Sequence, residues 1–134
     1  MTSFPLKIVT PDGLIFDGEA EELIVRSTTG EVAVLAKHTN FVTPLGMGRA
    51  VIVSGGQRRT AACIGGMLSV VNGSVTLVPT TFEWSDKIDL DRANAAYQRA
   101  NDILNNPRST ENDLKLAEAK LRRALVRRSV ASSK

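Results

Sequence analysis

The hydrophobic positions of the chain follow two different patterns, which change over between Thr80 and Ala93. Before this stretch, apolar residues come in short runs that alternate with other residues or are cut by glycine pairs, and such runs predict β-strands. After it, apolar residues recur every three or four positions, which predicts amphipathic helices. We therefore expect two domains, a strand-rich one over residues 1–84 and a helical one over residues 85–134.

The strand-rich part contains a turn signal about every eight to twelve residues. Gly55-Gly56 and Asn72-Gly73 are two-residue connections of the kind that closes tight hairpins. Gly65-Gly66 lies between two apolar runs and indicates a bulge or a close backbone approach. Residues 14–16 are expected to form a short strand, with a polar connection over residues 17–22. This regular spacing favours an antiparallel β-sandwich of roughly eight to ten short strands.

The helical part contains two apolar stripes joined by a short polar segment. Asp86 or Asp89 is placed to cap the first helix, and Asn105-Asn106-Pro107 ends it because proline disfavours a helical residue before it. Thr110-x-x-Asp113 is a variant capping box that opens a second helix. The stripes consist of Leu90, Ala93, Tyr97, Ala100 and Leu104, and of Leu114, Ala117, Leu121, Ala124 and Leu125. Two such helices predict an antiparallel hairpin, and their alanines give it a small buried area.

Composition and charge narrow the class of protein. A hydrophobic content of 43% supports a packed core, and an aromatic content of 4% makes that core aliphatic. The basic charge is uneven: residues 1–84 hold six Lys/Arg and seven Asp/Glu, whereas residues 85–134 hold eleven and seven, which together give +3. Cys63, the only cysteine, lies in an apolar run where burial is the ordinary explanation. No apolar run approaches about 18 residues and no signal-peptide pattern is present, so we expect a soluble chain in a reducing compartment.

Four segments, in this order, resemble the epsilon subunit of bacterial F-type ATP synthases: GEVAVLAKH, IGGMLSV, NGSVTLV and IDLDRA. The resemblance covers essentially the whole chain. It implies a non-catalytic rotor subunit of the central stalk of a proton- or sodium-translocating synthase, peripheral on the cytoplasmic face of the cell membrane. It also implies that the sandwich binds the gamma subunit and the c-subunit ring, and that the helical hairpin inhibits ATP hydrolysis.

A nucleotide site is implied at the start of the first helix. In bacterial members the sequence Ile/Leu-Asp-x-x-Arg-Ala there is associated with ATP binding, and this chain matches it fully from Ile88 to Ala93. Arg92 and Arg99 are seven residues apart and share a helix face, and arginine suits phosphate through its planar, paired donors. The implied site comprises Glu83, Ile88, Asp89, Arg92, Ala93, Arg99 and Arg122, with ATP as a regulatory ligand and no required cofactor. The alternative is that Asp89 only caps the helix and Arg92 is a solvated charge.

Further residues are expected at interfaces with other subunits. Glu31, beside Gly30, is the candidate for contact with gamma or the c ring, and His38, the only histidine, has a structural or interface role rather than a metal-binding one. The family pattern G-x-x-G-x-x-P-x-H is kept at Gly30 and His38 but is replaced at Ala33 and Ala36. In the second helix, the residues expected to meet an acidic segment of the catalytic beta subunit are Arg122, Arg123, Arg127 and Arg128.

Two other classes of function are alternatives. A basic helical hairpin could bind nucleic acid or another acidic partner through residues 115–134, which hold seven basic residues and one acid. Because only this tail is basic and exposed aromatic candidates are few, we expect no nucleic-acid partner. An enzyme is disfavoured because the sequence lacks a G-x-x-x-x-G-K-[ST] loop and a Cys/His metal cluster. We expect an accessory, regulatory subunit.

Overall fold

The computed structural model describes residues 2–132, which form ten β-strands, one 3₁₀ turn and two α-helices. The strands are β1 (Phe4–Thr10), β2 (Gly13–Ala20), β3 (Glu22–Ser27), β4 (Gly30–Val34), β5 (Phe41–Pro44), β6 (Met47–Ser54), β7 (Gln57–Ile64), β8 (Met67–Val71), β9 (Ser74–Val78) and β10 (Thr81–Trp84). The 3₁₀ turn Ser85–Lys87 precedes α1 (Leu90–Leu104) and α2 (Glu111–Ser132). Met1, Ser133 and Lys134, which belong to the predicted domain ranges and basic tail, lie outside the described residues. The chain divides into two compact units between Trp84 and Ser85.

The strands form two five-stranded sheets. Their strand orders are β2-β1-β9-β8-β5 and β10-β7-β6-β3-β4. Neighbouring strands are antiparallel except β1 and β9, which pair in parallel around Lys7 and Thr76. The predicted sandwich is thus confirmed, with one correction to its antiparallel pairing. The parallel pair arises because the β1–β2 and β8–β9 hairpins join side by side with their inner strands running in the same direction.

An aliphatic core lies between the sheets because alternate residues of each strand point inward. In β1, Phe4, Leu6 and Ile8 are buried while Pro5 and Lys7 are exposed. The core also contains Leu23, Val25, Val34, Leu45, Ala50, Ile52, Ala61, Cys63, Leu68, Val70, Val75, Leu77 and Phe82. Cys63 is 4% exposed and belongs to this core, which confirms its predicted burial, and that burial raises the pKa of its thiol from 9.0 to about 12.

The glycine-containing connections adopt the predicted forms. Gly55-Gly56 and Asn72-Gly73 close the β6–β7 and β8–β9 hairpins, and all four residues have positive φ, as a type I′ turn requires. At Gly66, with φ +100°, a Cβ would stand 2.0 Å from the Val78 carbonyl oxygen. The expected close backbone approach is therefore confirmed.

One strand is longer than the sequence pattern predicted. β2 continues through residues 17–20, where a polar connection was expected. It lies at the edge of its sheet and pairs only with β1, so its polar residues can remain in water while their backbone completes the ladder.

The helices begin and end as predicted. The Asp89 carboxylate accepts a hydrogen bond from the Arg92 backbone N–H at 3.0 Å, and α1 ends just before Asn105. Thr110 and Asp113 each accept the other's backbone N–H at 3.1 Å, which confirms the capping box. The two helices pack as a hairpin whose leucines remain largely exposed. Among the helices of residues 2–132, none combines the length and hydropathy that crossing a membrane requires.

Candidate functional site

The helical hairpin has a narrow seam with an open groove along one side. The seam is marked by four buried alanines, Ala93 and Ala100 of α1 and Ala117 and Ala124 of α2. The groove, of about 420 Å³, is lined by Leu90, Asn94, Leu125, Arg128, Ser129 and Ser132. The residues that line the groove show which side of each helix faces it. Residues on the opposite side of each helix therefore lie on the other side of the hairpin.

On α1, two arginines lie on the side away from the groove. Successive helix residues are about 100° apart. Asn94, directly after the buried Ala93, lines the groove, so Arg92, directly before Ala93, lies on the opposite side. Arg99 is seven residues beyond Arg92 and shares its face. Both side chains are exposed, and within residues 2–132 neither guanidinium has a hydrogen-bond or ion-pair partner.

On α2, the same argument from helix rotation places Arg123 and Arg127 on a different side from Arg122. Leu125, directly after the buried Ala124, lines the groove, so Arg123 lies on the opposite side, and Arg127 follows one turn later. Both are partly buried. We call Arg92, Arg99, Arg123 and Arg127 the arginine flank. All four lie on one side of the hairpin.

Arg122 lies on the outer face of α2, away from α1, and is already paired. Its Nη2 donates to Glu118 Oε1 at 2.7 Å, and its side chain is 63% exposed. Such a solvent-exposed pair contributes only about 0.3–0.5 kcal/mol. Arg122 is thus the one predicted site arginine that the hairpin places apart from Arg92 and Arg99.

The other predicted nucleotide-site residues belong to two different parts of the chain. Ile88 and Asp89 lie between the 3₁₀ turn and α1, and Ala93 is buried in the first turn of α1. Asp89 uses its Oδ1 as the helix cap. Glu83 lies on β10, in the sandwich unit, where it is partly buried.

A contact that the sequence analysis missed joins the two helices. The Arg128 guanidinium lies over the Tyr97 ring, with its central carbon 4.4 Å from the ring centroid. This is the geometry of a cation–π interaction. No sequence signal could have found it, since the contact depends on the register of one helix against the other.

Two predicted interface residues lie on the sandwich unit. Glu31 is an exposed residue of β4 and stands opposite Arg26 in the ladder. His38 Nδ1 is 2.8 Å from the Thr39 carbonyl oxygen, and its ring lies 4.9 Å from that of Phe41. Because a carbonyl only accepts, Nδ1 carries the proton in this contact. Among residues 2–132, no group of His, Cys, Asp and Glu side chains is arranged to hold a metal ion.

Three neighbouring strands of one sheet carry no charged side chain on their outer surface. On β5, β8 and β9, the residues that face away from the core are Val42, Pro44, Met67, Ser69, Val71, Ser74, Thr76 and Val78. Met67 stands directly between Pro44 and Val78 in the ladder, and all three are exposed. We call this surface the apolar face. In a chain with 23% charged residues, such an uncharged surface is typical of an interaction site.

The last strand ends in an aromatic cluster. The Trp84 ring packs edge-on against Phe82 at 5.0 Å, and the Arg59 guanidinium lies 3.6 Å from its centroid. Trp84 is therefore held to the sandwich at the residue before the helical unit begins.

Comparisons with known proteins give one family for both units. Residues 3–85 match the family described as "ATP synthase, Delta/Epsilon chain, beta-sandwich domain", and residues 86–132 match "ATP synthase, Delta/Epsilon chain, long alpha-helix domain". The chain is 40% identical over 131 residues to the ATP synthase epsilon chain of Bacillus pumilus, with 98% of each chain covered. It is 38% identical over 135 residues to that of an Exiguobacterium species, with 100% of this chain and 99% of the relative covered.

Two solved assemblies contain chains of similar fold. One is the Euglena gracilis mitochondrial ATP synthase, OSCP/F1/c-ring, with a TM-score of 0.80, 22% identity, and 91% of this chain and 77% of that chain covered. The other is the central stalk/c-ring of Tetrahymena thermophila mitochondrial ATP synthase, with a TM-score of 0.66, 10% identity and 96% of both chains covered. At these identities the likeness concerns the fold.

Proposed function

The chain belongs to the ATP synthase delta/epsilon-chain family, and on this premise we propose that it is a rotor subunit of the central stalk of a proton- or sodium-translocating synthase. Its relatives are epsilon chains, which are accessory and non-catalytic subunits. In this proposal the sandwich joins the gamma subunit to the c ring, and the chain reaches the cytoplasmic face of the cell membrane only through the complex. The helical hairpin regulates ATP hydrolysis.

The apolar face is the observation that supports gamma binding. Four aliphatic side chains, those of Val42, Met67, Val71 and Val78, are exposed there without a charged neighbour on their strands. Covering them with a protein partner removes apolar area from water without desolvating a charge. We assign this face to gamma, and Glu31 and His38 to contacts with gamma or the c ring.

A matched pair of substitutions tests the apolar face. Val42 and Leu14 are 61% and 60% exposed, but only Val42 belongs to the face. Val42→Asp is expected to weaken binding to the cognate gamma subunit by roughly tenfold or more, because the carboxylate loses its water in the interface. Leu14→Asp is expected to leave binding unchanged. The affinities are measured by calorimetric titration. Equal affinities of the two variants would show that gamma does not bind at this face.

The hairpin is proposed to inhibit ATP hydrolysis by contacting an acidic segment of the catalytic beta subunit. Two observations support this. α2 carries six basic residues against three acidic ones, and the acidic ones all lie within residues 111–118. Four of the five buried residues of the two helices are alanines and the fifth is Val130, so separating the helices loses little buried area. The hairpin can therefore exchange its internal contacts for contacts with beta at modest cost.

ATP is proposed to hold the compact hairpin through the arginine flank. Arg92, Arg99, Arg123 and Arg127 present guanidinium groups on one side of the seam, and guanidinium suits phosphate through paired donors. A ligand that binds only the compact state stabilises it by RT ln(1 + [L]/Kd), about 2.7 kcal/mol at one hundred times Kd. We assign the α2 donors to Arg123 and Arg127 instead of Arg122, because Arg122 lies on the outer face of α2, away from the side that Arg92 and Arg99 share.

Calorimetric titration of the isolated chain with ATP tests this assignment. Arg92→Ala and Arg123→Ala each remove a charge-assisted hydrogen bond worth about 1.5–3 kcal/mol, so affinity is expected to fall roughly tenfold to a hundredfold. Arg122→Ala is the matched control, one residue away on the same helix. A loss of affinity in Arg122→Ala equal to that in Arg123→Ala contradicts the assignment. Unchanged affinity in Arg92→Ala contradicts ATP binding at this flank altogether.

Titration of an epsilon-depleted cognate synthase tests the inhibitory role. The full chain is expected to give saturable inhibition of ATP hydrolysis, which rising ATP relieves. A chain that ends at Lys87 keeps the compact unit before Ser85 and is expected to bind without inhibiting. Inhibition by the shortened chain would move the inhibitory role from the hairpin to the sandwich. Absence of binding by both chains would refute the rotor assignment.

A further inference from the structure

We propose that Tyr97 and Arg128 form a clasp that keeps the hairpin closed and withholds Arg128 from the acidic partner. This inference rests on the proposed function, because it concerns the transition between a closed hairpin and one whose α2 contacts beta. It adds a regulatory contact that requires no nucleotide. The clasp lies on the groove side of the seam, opposite the arginine flank.

The position of the clasp follows from helix geometry. Helix side chains lean toward the N-terminus of their own helix. Arg128 in the last turns of α2 therefore leans back toward the bend, and Tyr97 in the antiparallel α1 leans toward its own start. The two meet with the guanidinium carbon 4.4 Å from the ring centroid. The long arginine stem crosses the seam, which the small alanines at Ala93 and Ala124 leave narrow.

The clasp joins the two helices toward the open end of the hairpin, where α2 also buries Val130. The alanines of the seam bury little area, and Leu90 and Leu125, which line the groove, remain exposed. Among residues 2–132, Arg128 has no carboxylate partner, and its guanidinium has only the Tyr97 ring. The contact therefore joins the helices without neutralising the charge of Arg128.

Arg128 has two mutually exclusive partners in this scheme. In the closed hairpin it lies over Tyr97, and in the open hairpin it meets a carboxylate of the acidic segment. A paired guanidinium–carboxylate contact is stronger than a single cation–π contact, so the exchange is favourable where that segment is present. In the free chain, the clasp keeps the hairpin closed.

Substitutions at Tyr97 and at Arg128 are therefore expected to change the inhibition of ATP hydrolysis in opposite directions. Tyr97→Leu opens the hairpin and leaves Arg128 free for the acidic partner, so inhibition increases. Arg128→Gln opens the hairpin to the same extent but removes the group that meets the partner, so inhibition decreases. A contact that only stabilised the fold would change inhibition in the same direction in both variants.

Amide hydrogen exchange of the isolated chain measures the closing step without other subunits. Tyr97→Leu and Arg128→Gln are each expected to speed exchange in residues 111–132 by about fivefold, the factor for a cation–π contact of this class. Leucine and glutamine are good helix formers, so a change in helix propensity does not explain faster exchange. Tyr97→Phe keeps the ring and is expected to exchange like the parent chain. Arg122→Gln removes one α2 guanidinium but leaves the clasp intact, and serves as the matched control.

The outcomes separate the clasp from the proposed function on which it rests. Faster exchange in Tyr97→Leu and Arg128→Gln, with opposite changes in inhibition of the cognate synthase, supports the proposal. Unchanged exchange in Tyr97→Leu overturns the clasp, as does equal acceleration in Arg122→Gln. If exchange is faster but no form of the chain inhibits the synthase, not even the parent, then the proposed inhibitory function is wrong. The part of the clasp in inhibition is then overturned with it. Inhibition that changes in the same direction in both variants reduces the contact to a structural one.

Discussion

Replacing Gly66 by alanine is expected to destabilise the sandwich far more than replacing Gly73 by alanine. The two glycines bracket β8 and have similar backbone angles, with φ of +100° and +81°. Their surroundings differ. A Cβ at Gly66 would stand 2.0 Å from the Val78 carbonyl oxygen and 2.6 Å from the Pro79 Cα, whereas a Cβ at Gly73 would meet nothing within 4 Å. Comparing the two variants therefore separates the energetic cost of a positive φ from the cost of the close approach to Val78 and Pro79.

The expected magnitudes follow from these contacts. An alanine in the left-handed region costs roughly 1–2 kcal/mol, and both variants share this cost. At Gly66 the backbone must also move by about 1 Å, because real Cβ atoms essentially never approach another atom within 3.0 Å. That movement disrupts two hydrogen bonds, from Leu45 N–H to Gly66 O at 2.8 Å and from Thr80 N–H to Gly65 O at 3.3 Å. At about 1 kcal/mol each, the loss reaches roughly 3–4 kcal/mol.

Urea unfolding of the isolated chain, followed by tryptophan fluorescence, measures this difference. Trp84 is the only tryptophan and lies in the sandwich unit, so its emission reports on the sandwich. A domain of this kind has roughly 5–15 kcal/mol of stability, so Gly66→Ala is expected to remain measurable and Gly73→Ala to unfold at a clearly higher urea concentration. Equal free energies of unfolding in the two variants would show that the approach to Val78 has no energetic consequence, and the reasoning would be refuted.

Three further predictions concern single contacts. Because the Cys63 pKa is about 12 in the fold, the thiol is expected to stay protonated below pH 9 and to react with a thiol reagent only as pH rises toward 12 or as urea unfolds the chain. Arg59→Ala is expected to shift Trp84 emission and Arg58→Ala to leave it unchanged, since only Arg59 lies over the ring; identical spectra contradict this. Thr110→Ala is expected to destabilise α2 by about 1 kcal/mol, seen as lower helicity by circular dichroism, and no change would exclude the capping box.

The tight turns could be predicted from the sequence, whereas the pairing of strands far apart in the chain could not. Gly55-Gly56 and Asn72-Gly73 predicted their hairpins because few residues tolerate positive φ. The parallel pairing of β1 with β9 joins residues about seventy positions apart, as at Leu6 and Val75. The period of a strand shows which residues point inward, but it carries no information on which strand lies beside it. The continuation of β2 was hidden for a related reason, because an edge strand needs no apolar alternation.

The candidate site was partly predictable for a geometrical reason. The spacing of Arg92 and Arg99 predicted a shared face on α1, because both belong to one helix. Choosing between Arg122 and Arg123 required the orientation of α2 about its own axis, and a shift of one residue turns a side chain by about 100°. The buried Ala124 and the groove supply that orientation. The pairing of Tyr97 with Arg128 required the register between the helices as well.

The arginine flank and the clasp act on the same equilibrium from opposite sides of the seam. If ATP binds only the closed hairpin, its apparent dissociation constant is the intrinsic one divided by the closed fraction. Tyr97→Leu is then expected to weaken ATP binding although Tyr97 does not belong to the arginine flank. The loss equals the fall in the closed fraction, so it approaches about fivefold when the hairpin is mostly open and vanishes when it is mostly closed.

A calorimetric ATP titration of Tyr97→Leu therefore also measures the resting position of the hairpin. Thermodynamic linkage limits this loss of ATP affinity. The clasp affects ATP binding only by changing the closed fraction, so the loss cannot exceed the change in the closing equilibrium. A loss of ATP affinity well above about fivefold, which is the full effect of the clasp on the closing equilibrium, would contradict that limit. Tyr97 would then act on the nucleotide by a route other than hairpin closure, and the two sides of the seam would have to be treated as one site.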